Sequence, residues 1–422
     1  MLVGGTSARG KKFNKSSCAC SQEAPKTLAY PPLTLYIHIP WCEKKCPYCD
    51  FNSHKKTGSL PEADYIKALC NDFDRDFEFA NRVSAKSNQG ITEPRQIQSI
   101  FIGGGTPSLF DPLSIKTLLA HIKARTNYSP DIEITLEANP GTAEAAKFAG
   151  YKEAGVNRLS IGVQSFDDKK LKILGRLHTG RQSRKAITLA KEAGFKNYNV
   201  DIMHTLPGQT VADGLRDLET ALAFQPPHLS WYELTIERNT VFYSFPPTLP
   251  NEMIAQDLYE LGNQKLDARG LRQYEISAYS TKDRSSSHNL NYWQFGDYLG
   301  IGAGAHGKIS YSNGEIYRSA KRKQPDRYLR NFLDRSTSAK IDCRFTLIES
   351  DQISIEFLLN NLRLRKGFTI ELFEQRTNLC FSEISAKVDQ MVSKGLMSRV
   401  ENHIATTPVG FHMIDTILEE FS

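Results

Sequence analysis

Six times between residues 33 and 278, a short strand-like run gives way to apolar residues at helical spacing. The strand-like runs are residues 33–39, 97–102, 132–136, 158–163, 198–203 and 228–234. The helical patterns cover 60–79, 113–124, 143–153, 169–174 with 180–193, 211–223 and 253–268. Such alternation demands a parallel sheet with right-handed crossovers. Six units are too few for a closed eight-unit barrel, so the expected fold is an α/β open, partial (β/α)6 barrel. Polar or glycine residues stand where the strands are expected to end, in the Cys42–Cys49 loop, at Gly103 to Thr106, and at Glu137, Gln164 and Asp201. Active sites of parallel barrels form at that end, so topology brings together residues scattered along the chain.

The first strand carries the most specific signal. Leu33, Leu35, Ile37 and Ile39 alternate with Thr34, Tyr36 and His38, then Pro40 ends the run. The loop that follows holds Cys42, Cys46 and Cys49 at CxxxCxxC spacing. Three thiolates can hold three irons of a [4Fe–4S] cube and leave the fourth iron open. A zinc site is the alternative, with His38 or His54 as a fourth ligand. Gly103-Gly-Gly after the second strand lets a backbone approach a ligand closely, but it lacks the Lys-Ser/Thr ending of a P-loop.

The stretch Tyr36-Ile-His-Ile-Pro-Trp-Cys42-x3-Cys46-Pro-Tyr-Cys49 resembles the cluster loop of the radical S-adenosylmethionine superfamily. Within it, the chain is most similar to the branch holding oxygen-independent coproporphyrinogen oxidase and HemW-type haem chaperones. The resemblance extends from Leu33 to about residue 420. It implies a [4Fe–4S] cluster on Cys42, Cys46 and Cys49. It also implies S-adenosylmethionine held by Tyr36, Gly104, Gly105, Thr106, Glu137, Gln164, Arg176 and Asp201. Glu137 would take the ribose, and Arg176 would pair with the carboxylate. Tyr48 and Phe51 would shield the cluster from water. The family's chemistry is one-electron cleavage of the sulfonium to a 5′-deoxyadenosyl radical.

Two features separate the branches. The porphyrinogen-decarboxylating enzymes carry a further cysteine two positions after the last ligand, and here that position is Phe51. His288-Asn-Leu-Asn-Tyr292-Trp293 matches the HNxxYW signature of the chaperone branch, which implies haem contact by His288, Asn289, Tyr292 and Trp293. The expected function is therefore a haem chaperone passing haem to an acceptor haem protein, with coproporphyrinogen oxidase as the enzyme alternative. Which atom would ligate the iron is left open, with His306 and the cysteines as further candidates.

Composition sets the remaining bounds. In 422 residues, 40% hydrophobic and 24% charged content is that of an ordinary globular protein with one large core and a second domain. A net charge of +6 and the lack of a basic recognition helix argue against a nucleic-acid partner. No apolar run approaches the roughly 18 residues of a membrane span. Eight cysteines, three of them clustered, do not form a secreted disulfide framework, so the chain reads as cytoplasmic. The expected divisions are a disordered tail at 1–28 (with Cys18 and Cys20), the barrel at 29–280, a linker with the HNxxYW motif at 281–340, and a winged-helix-like α+β domain at 341–422. A homodimer and a transient membrane contact complete the expected associations.

Overall fold

The computed structural model describes residues 30–85, 94–126, 128–141, 145–311, 313–333 and 345–422. The expected N-terminal tail, the start of the polar loop at 88–95 and Cys343 lie outside them. Six parallel strands stand side by side: β1 (Leu33–Ile39), β2 (Ile97–Gly104), β3 (Tyr128–Ala138), β4 (Arg158–Gln164), β5 (Asn197–His204) and β6 (His228–Glu233). Between them run α1 (Glu62–Ala85), α2 (Pro112–Arg125), α3 (Phe148–Glu153), α4 (Gly180–Glu192) and α5 (Val211–Ala223), and α6 (Glu252–Ala268) follows β6. Helix starts follow local chemistry. Thr179 with Gln182, and Thr210 with Asp213, form reciprocal capping boxes that satisfy the free N–H groups of α4 and α5.

Side-chain alternation separates the two faces of the sheet. Ile100, Ile134, Leu159, Val200 and Leu229 point outward and are buried against the helices. Residues one step away, among them Thr135, Ser160, Asn199 and Ser230, point inward and bond one another or line a cavity. A parallel strand covered on both faces is usually apolar throughout. Here the inner face is polar because it surrounds a site.

The stretch 281–340, expected as a linker, contributes three strands to the sheet. β7 (Ala278–Ser280) pairs antiparallel with β6, and β8 (Asp297–Ile301) pairs parallel with the outer side of β1. β9 (His306–Ser310), β10 (Ile316–Ala320) and β11 (Phe345–Leu347) continue antiparallel beyond it. Asp297 anchors this extension while fully buried, accepting from Arg95 at 2.9 Å and from Lys308 at 3.0 Å. With the two-residue strand Arg272–Gln273, which pairs antiparallel with β7, twelve strands form one row whose two ends do not meet, so the barrel is open as expected.

The motif segment forms a short helix, α7 (Ser287–Trp293). Its N-terminus is capped by Ser286 and by the barrel carboxylate Glu133, which accepts from the Ser287 N–H at 3.0 Å. The C-terminal part has its own core, built on Phe357, Phe373, Val388, Met391 and Ile417. It combines α8 (Ser350–Asn361), α9 (Ile370–Thr377) and α10 (Ser382–Ser393) with a wing of Met397–Val400 and His403–Thr406, as the winged-helix-like expectation had it. The single helix expected near 409–420 is broken at Met413 into Pro408–His412 and α11 (Ile414–Phe421).

Candidate functional site

A cavity of about 780 Å³ opens at the carboxyl ends of the strands. Its depth comes from β3 and β5, which carry Glu137 and Asp201. Asp201 lies mid-strand, not at the strand end where the sequence put it. It faces inward and accepts from Ser160 Oγ at 2.9 Å and Asn199 Nδ2 at 2.7 Å. Burial pushes its carboxyl above the usual range. Burial, and then Asp201 itself, push Glu137 up from 4.5 to about 8, against a backbone donor at Gly104 that favours the charged form.

The Cys42, Cys46 and Cys49 loop forms one side, and all three thiols are free and face the cavity. Burial pushes Cys42 and Cys49 up, opposed by the hydroxyl of Ser53 at both and of Thr106 at Cys42. Arg176 Nη1 donates to the Cys46 sulfur at 3.7 Å, and its Nη2 donates to Asn139 Oδ1 at 2.5 Å and to the Gly162 carbonyl at 2.9 Å. Asn139 in turn donates to Thr106 Oγ1 at 3.0 Å. One chain of contacts therefore joins the cysteine loop, the glycine loop and the ends of β3 and β4.

The glycines of the second loop serve packing as well as access. A Cβ on Gly104 would sit 2.6 Å from the His38 ring, and one on Gly105 would sit 2.6 Å from the Trp41 carbonyl. Gly105 and Thr106 donate backbone N–H groups to Ile39 and Trp41, so the loop is clamped to the base of the cysteine loop. Gln164 ends β4 in the left-handed region at φ 67° and accepts from the Tyr232 hydroxyl. A non-glycine residue held there is costly, and such residues concentrate at binding sites.

The donor set bears on which metal group fits. Among the described residues, no three of His, Cys, Asp or Glu converge as a single ion requires. His38 bonds Tyr36 Oη at 2.9 Å and the Asn52 carbonyl at 2.8 Å, and His54 Nε2 lies 3.2 Å from both Asn52 Oδ1 and the Lys323 carbonyl. Both candidate fourth ligands of a zinc site are thus engaged elsewhere. Three thiols that each serve a different iron need not converge on one point, so the loop suits a cluster better than an ion.

Of the residues expected at S-adenosylmethionine, Gly104, Gly105, Thr106, Glu137, Gln164, Arg176 and Asp201 all line the cavity. Tyr36 does not. It lies behind the cavity wall, stacked on Phe101 at 6.3 Å and bonded to His38. Of the shielding pair, Tyr48 is half-buried against Phe242 and lines the cavity, whereas Phe51 is 59% exposed at the rim.

The haem-contact set divides by helical periodicity. Asn289 and Trp293, four apart on α7, share the face that lines the cavity. His288 and Tyr292 share another. The His288 ring is buried against Phe101 at 5.2 Å, its Nδ1 lies 3.4 Å from Ser99 Oγ, and burial lowers its pKa from 6.5 to about 3. Tyr292 packs on Tyr298. Neither lines the cavity; both pack beneath it. His306 is exposed on β9 and does not line the cavity. Sequence reading passed over Asn139, Ser160, Ser230, Tyr232 and Arg363, which do line it. Asn139 alone had a local signal, standing two residues after Glu137 at a strand end.

The chain is similar to known proteins over most of its length. The Radical SAM superfamily model matches residues 36–221, and the HemN C-terminal domain model matches residues 349–412. The chain is 44% identical over 391 residues to the heme chaperone HemW of Escherichia coli K12, covering 93% of this chain and 98% of that one. It is 44% identical over 394 residues to the heme chaperone HemW of Haemophilus influenzae, with 93% and 98% covered. It is 32% identical to the bovine mitochondrial radical S-adenosyl methionine domain-containing protein 1, over 91% of this chain and 86% of that one. Among solved structures, coproporphyrinogen III oxidase HemN from Escherichia coli superposes with a TM-score of 0.74 at 21% identity, covering 94% of this chain and 91% of that one. At that identity the likeness is one of fold.

Proposed function

The chain belongs to the HemW family of the radical S-adenosylmethionine superfamily, and from that premise we propose that it is a haem chaperone. The reading is that it binds a [4Fe–4S] cluster, S-adenosylmethionine and haem, and passes haem to an acceptor haem protein. The observation that carries it is the near-complete, 44% identical match to bacterial heme chaperones. Phe51, standing where the decarboxylating enzymes have a further cysteine, supports it.

In this reading Cys42, Cys46 and Cys49 hold the cluster, with Arg176 oriented on Cys46 by Asn139. The turn at Gly104 to Thr106, whose N–H groups are bonded to Glu137, Ile39 and Trp41, receives the amino end of the methionine group on carbonyl oxygens, and Glu137, with its raised pKa, donates to or accepts from the ribose. Gln164 and Asp201 border the nucleoside. Bound together, cluster and S-adenosylmethionine supply one-electron cleavage chemistry, while the protein's part is to position and to exclude water. Haem lies in the part of the cavity bounded by Asn289 and Trp293. A reducing compartment suits such a cluster, which places the chain in the cytoplasm. No helix among the described residues is long and apolar enough to cross a membrane. A transient membrane contact and a homodimer belong to the same reading; vesicle flotation and sedimentation test them.

The experiment is anaerobic reconstitution followed by titration with haemin, and then addition of an apo haem protein. A saturable Soret band that moves to the acceptor is expected. Turnover of coproporphyrinogen to protoporphyrinogen without haem binding would replace this reading with the oxidase.

A further inference from the structure

The cavity wall farthest along the chain from the cysteine loop holds two polar atoms that nothing satisfies. Trp293 Nε1, on α7, and Arg363 Nε, just past α8 in the C-terminal domain, are both buried without a partner among the described residues. Both side chains line the cavity. A buried donor left unmet costs about 1–3 kcal/mol, and the two sit on neighbouring side chains of one cavity wall, where the partly exposed end of Arg363 is open to an acceptor.

The guanidinium is held ready. Its carbon lies 4.4 Å above the Trp293 ring, a cation–π contact that fixes its plane. Glu275 is its nearest carboxylate, but the separation is 3.7 Å, beyond hydrogen-bond reach. Glu275 Oε1 instead accepts from Ser277, through the backbone N–H at 3.1 Å and the hydroxyl at 3.4 Å. Glu275 therefore attracts Arg363 without consuming its donors. The neighbouring chain is fixed too. Glu275 bridges to Leu364, and the Arg365 N–H donates to the Tyr274 carbonyl at 3.0 Å, which pins this corner of the C-terminal domain to the barrel.

We propose that Arg363 is the carboxylate receptor of the cavity, binding an edge carboxylate of a flat macrocycle that lies along Trp293. Arginine suits this task because its planar fork matches two carboxylate oxygens, and an adjacent indole offers both a stacking face and one more N–H. The proposal rests on haem being the cargo, whose two propionates are such carboxylates. It gives the C-terminal domain a recognition role beyond covering the barrel.

The test uses the full chain, reconstituted anaerobically and titrated with haemin and with haemin dimethyl ester, both followed at the Soret band. The wild type is expected to bind haemin at least tenfold tighter than the ester. Arg363→Met, which keeps length and removes charge, is expected to lose that preference. Its iron content and S-adenosylmethionine affinity should not change. Trp293→Phe, which keeps a stacking face and loses the N–H, should weaken haemin more than the ester. Equal wild-type affinity for haemin and ester would overturn the proposal without touching the chaperone reading, and so would a variant that weakens both ligands alike. A wild type that binds neither ligand would overturn both.

Discussion

The backbone N–H of Gly104 donates to Glu137 Oε2 across 3.0 Å, tying the glycine loop to the end of the neighbouring strand. The carboxyl that receives it is buried beside a second carboxyl, Asp201, and both effects outweigh the donor, so Glu137 titrates near 8 instead of 4.5. An acid with a raised pKa binds its proton more tightly in the folded chain than in the unfolded one. Its contribution to stability is full below about 4.5 and is lost as pH rises toward 8. Glu137→Gln keeps an acceptor for Gly104 and removes the titration. Denaturant unfolding of the cluster-free protein should show stability falling with pH across that window, at up to about 1.4 kcal/mol per unit, and a flatter profile for the variant. Parallel profiles would mean that Glu137 is ionised throughout.

The cysteine loop makes a sharper prediction. Replacing Cys42, Cys46 or Cys49 by Ser should reduce iron from about four per chain to near none after anaerobic reconstitution. Cys70 and Cys380 are the other cysteines of the described residues, and neither lines the cavity. Cys70→Ser and Cys380→Ser should keep both iron and the broad visible absorbance. One zinc per chain, retained in the single variants, would dismiss the cluster.

Gly104 tests whether the second loop is set by packing or by access. Its φ is 114°, and a Cβ there would meet the His38 ring at 2.6 Å. Gly194 also has positive φ, at 82°, but nothing lies within 4 Å of its Cβ position. Gly194→Ala should cost about 1 kcal/mol from backbone strain alone. Gly104→Ala should cost roughly 2–4 kcal/mol, because a side chain must move in a filled region. Chemical denaturation of both variants decides it. Equal losses would leave no role for the His38 contact.

These residues also show why parts of the molecule were readable and others were not. β1 and its cysteines are local: a period-two run, a proline, then three ligands within eight positions. β8 is not. It pairs with β1 from 264 residues away, Leu33 opposite Asp297, and its Gly300 reads as loop composition. That glycine is required because a Cβ would lie 1.8 Å from the His306 carbonyl oxygen. His288 shows a different limit. Motif resemblance placed it at haem, but the facing of a seven-residue helix is set by Glu133 and Ser286 at its N-terminus, and that rotation puts Asn289 and Trp293 on the cavity face instead. Arg363 carried no signal at all, since only tertiary packing brings the C-terminal domain to the cavity.

Arg176 and Asn139 act as a pair, and the last prediction follows from their geometry. Asn139 Oδ1 fixes one guanidinium nitrogen at 2.5 Å, which leaves the other aimed at the Cys46 sulfur at 3.7 Å. A lysine has no fork and cannot reach both partners and the Gly162 carbonyl at once. Partners behind a metal ligand are commonly worth 10–100-fold in affinity. Arg176→Lys should therefore weaken iron retention against a chelator by about that factor and shift the cluster's midpoint potential. Asn139→Ala should do the same more weakly, because the guanidinium keeps its bond to Gly162. The double variant should be no worse than Arg176→Lys alone, since Asn139 acts on the sulfur only through the arginine. Additive losses would show that Asn139 supports the site by another route, through its 3.0 Å bond to Thr106.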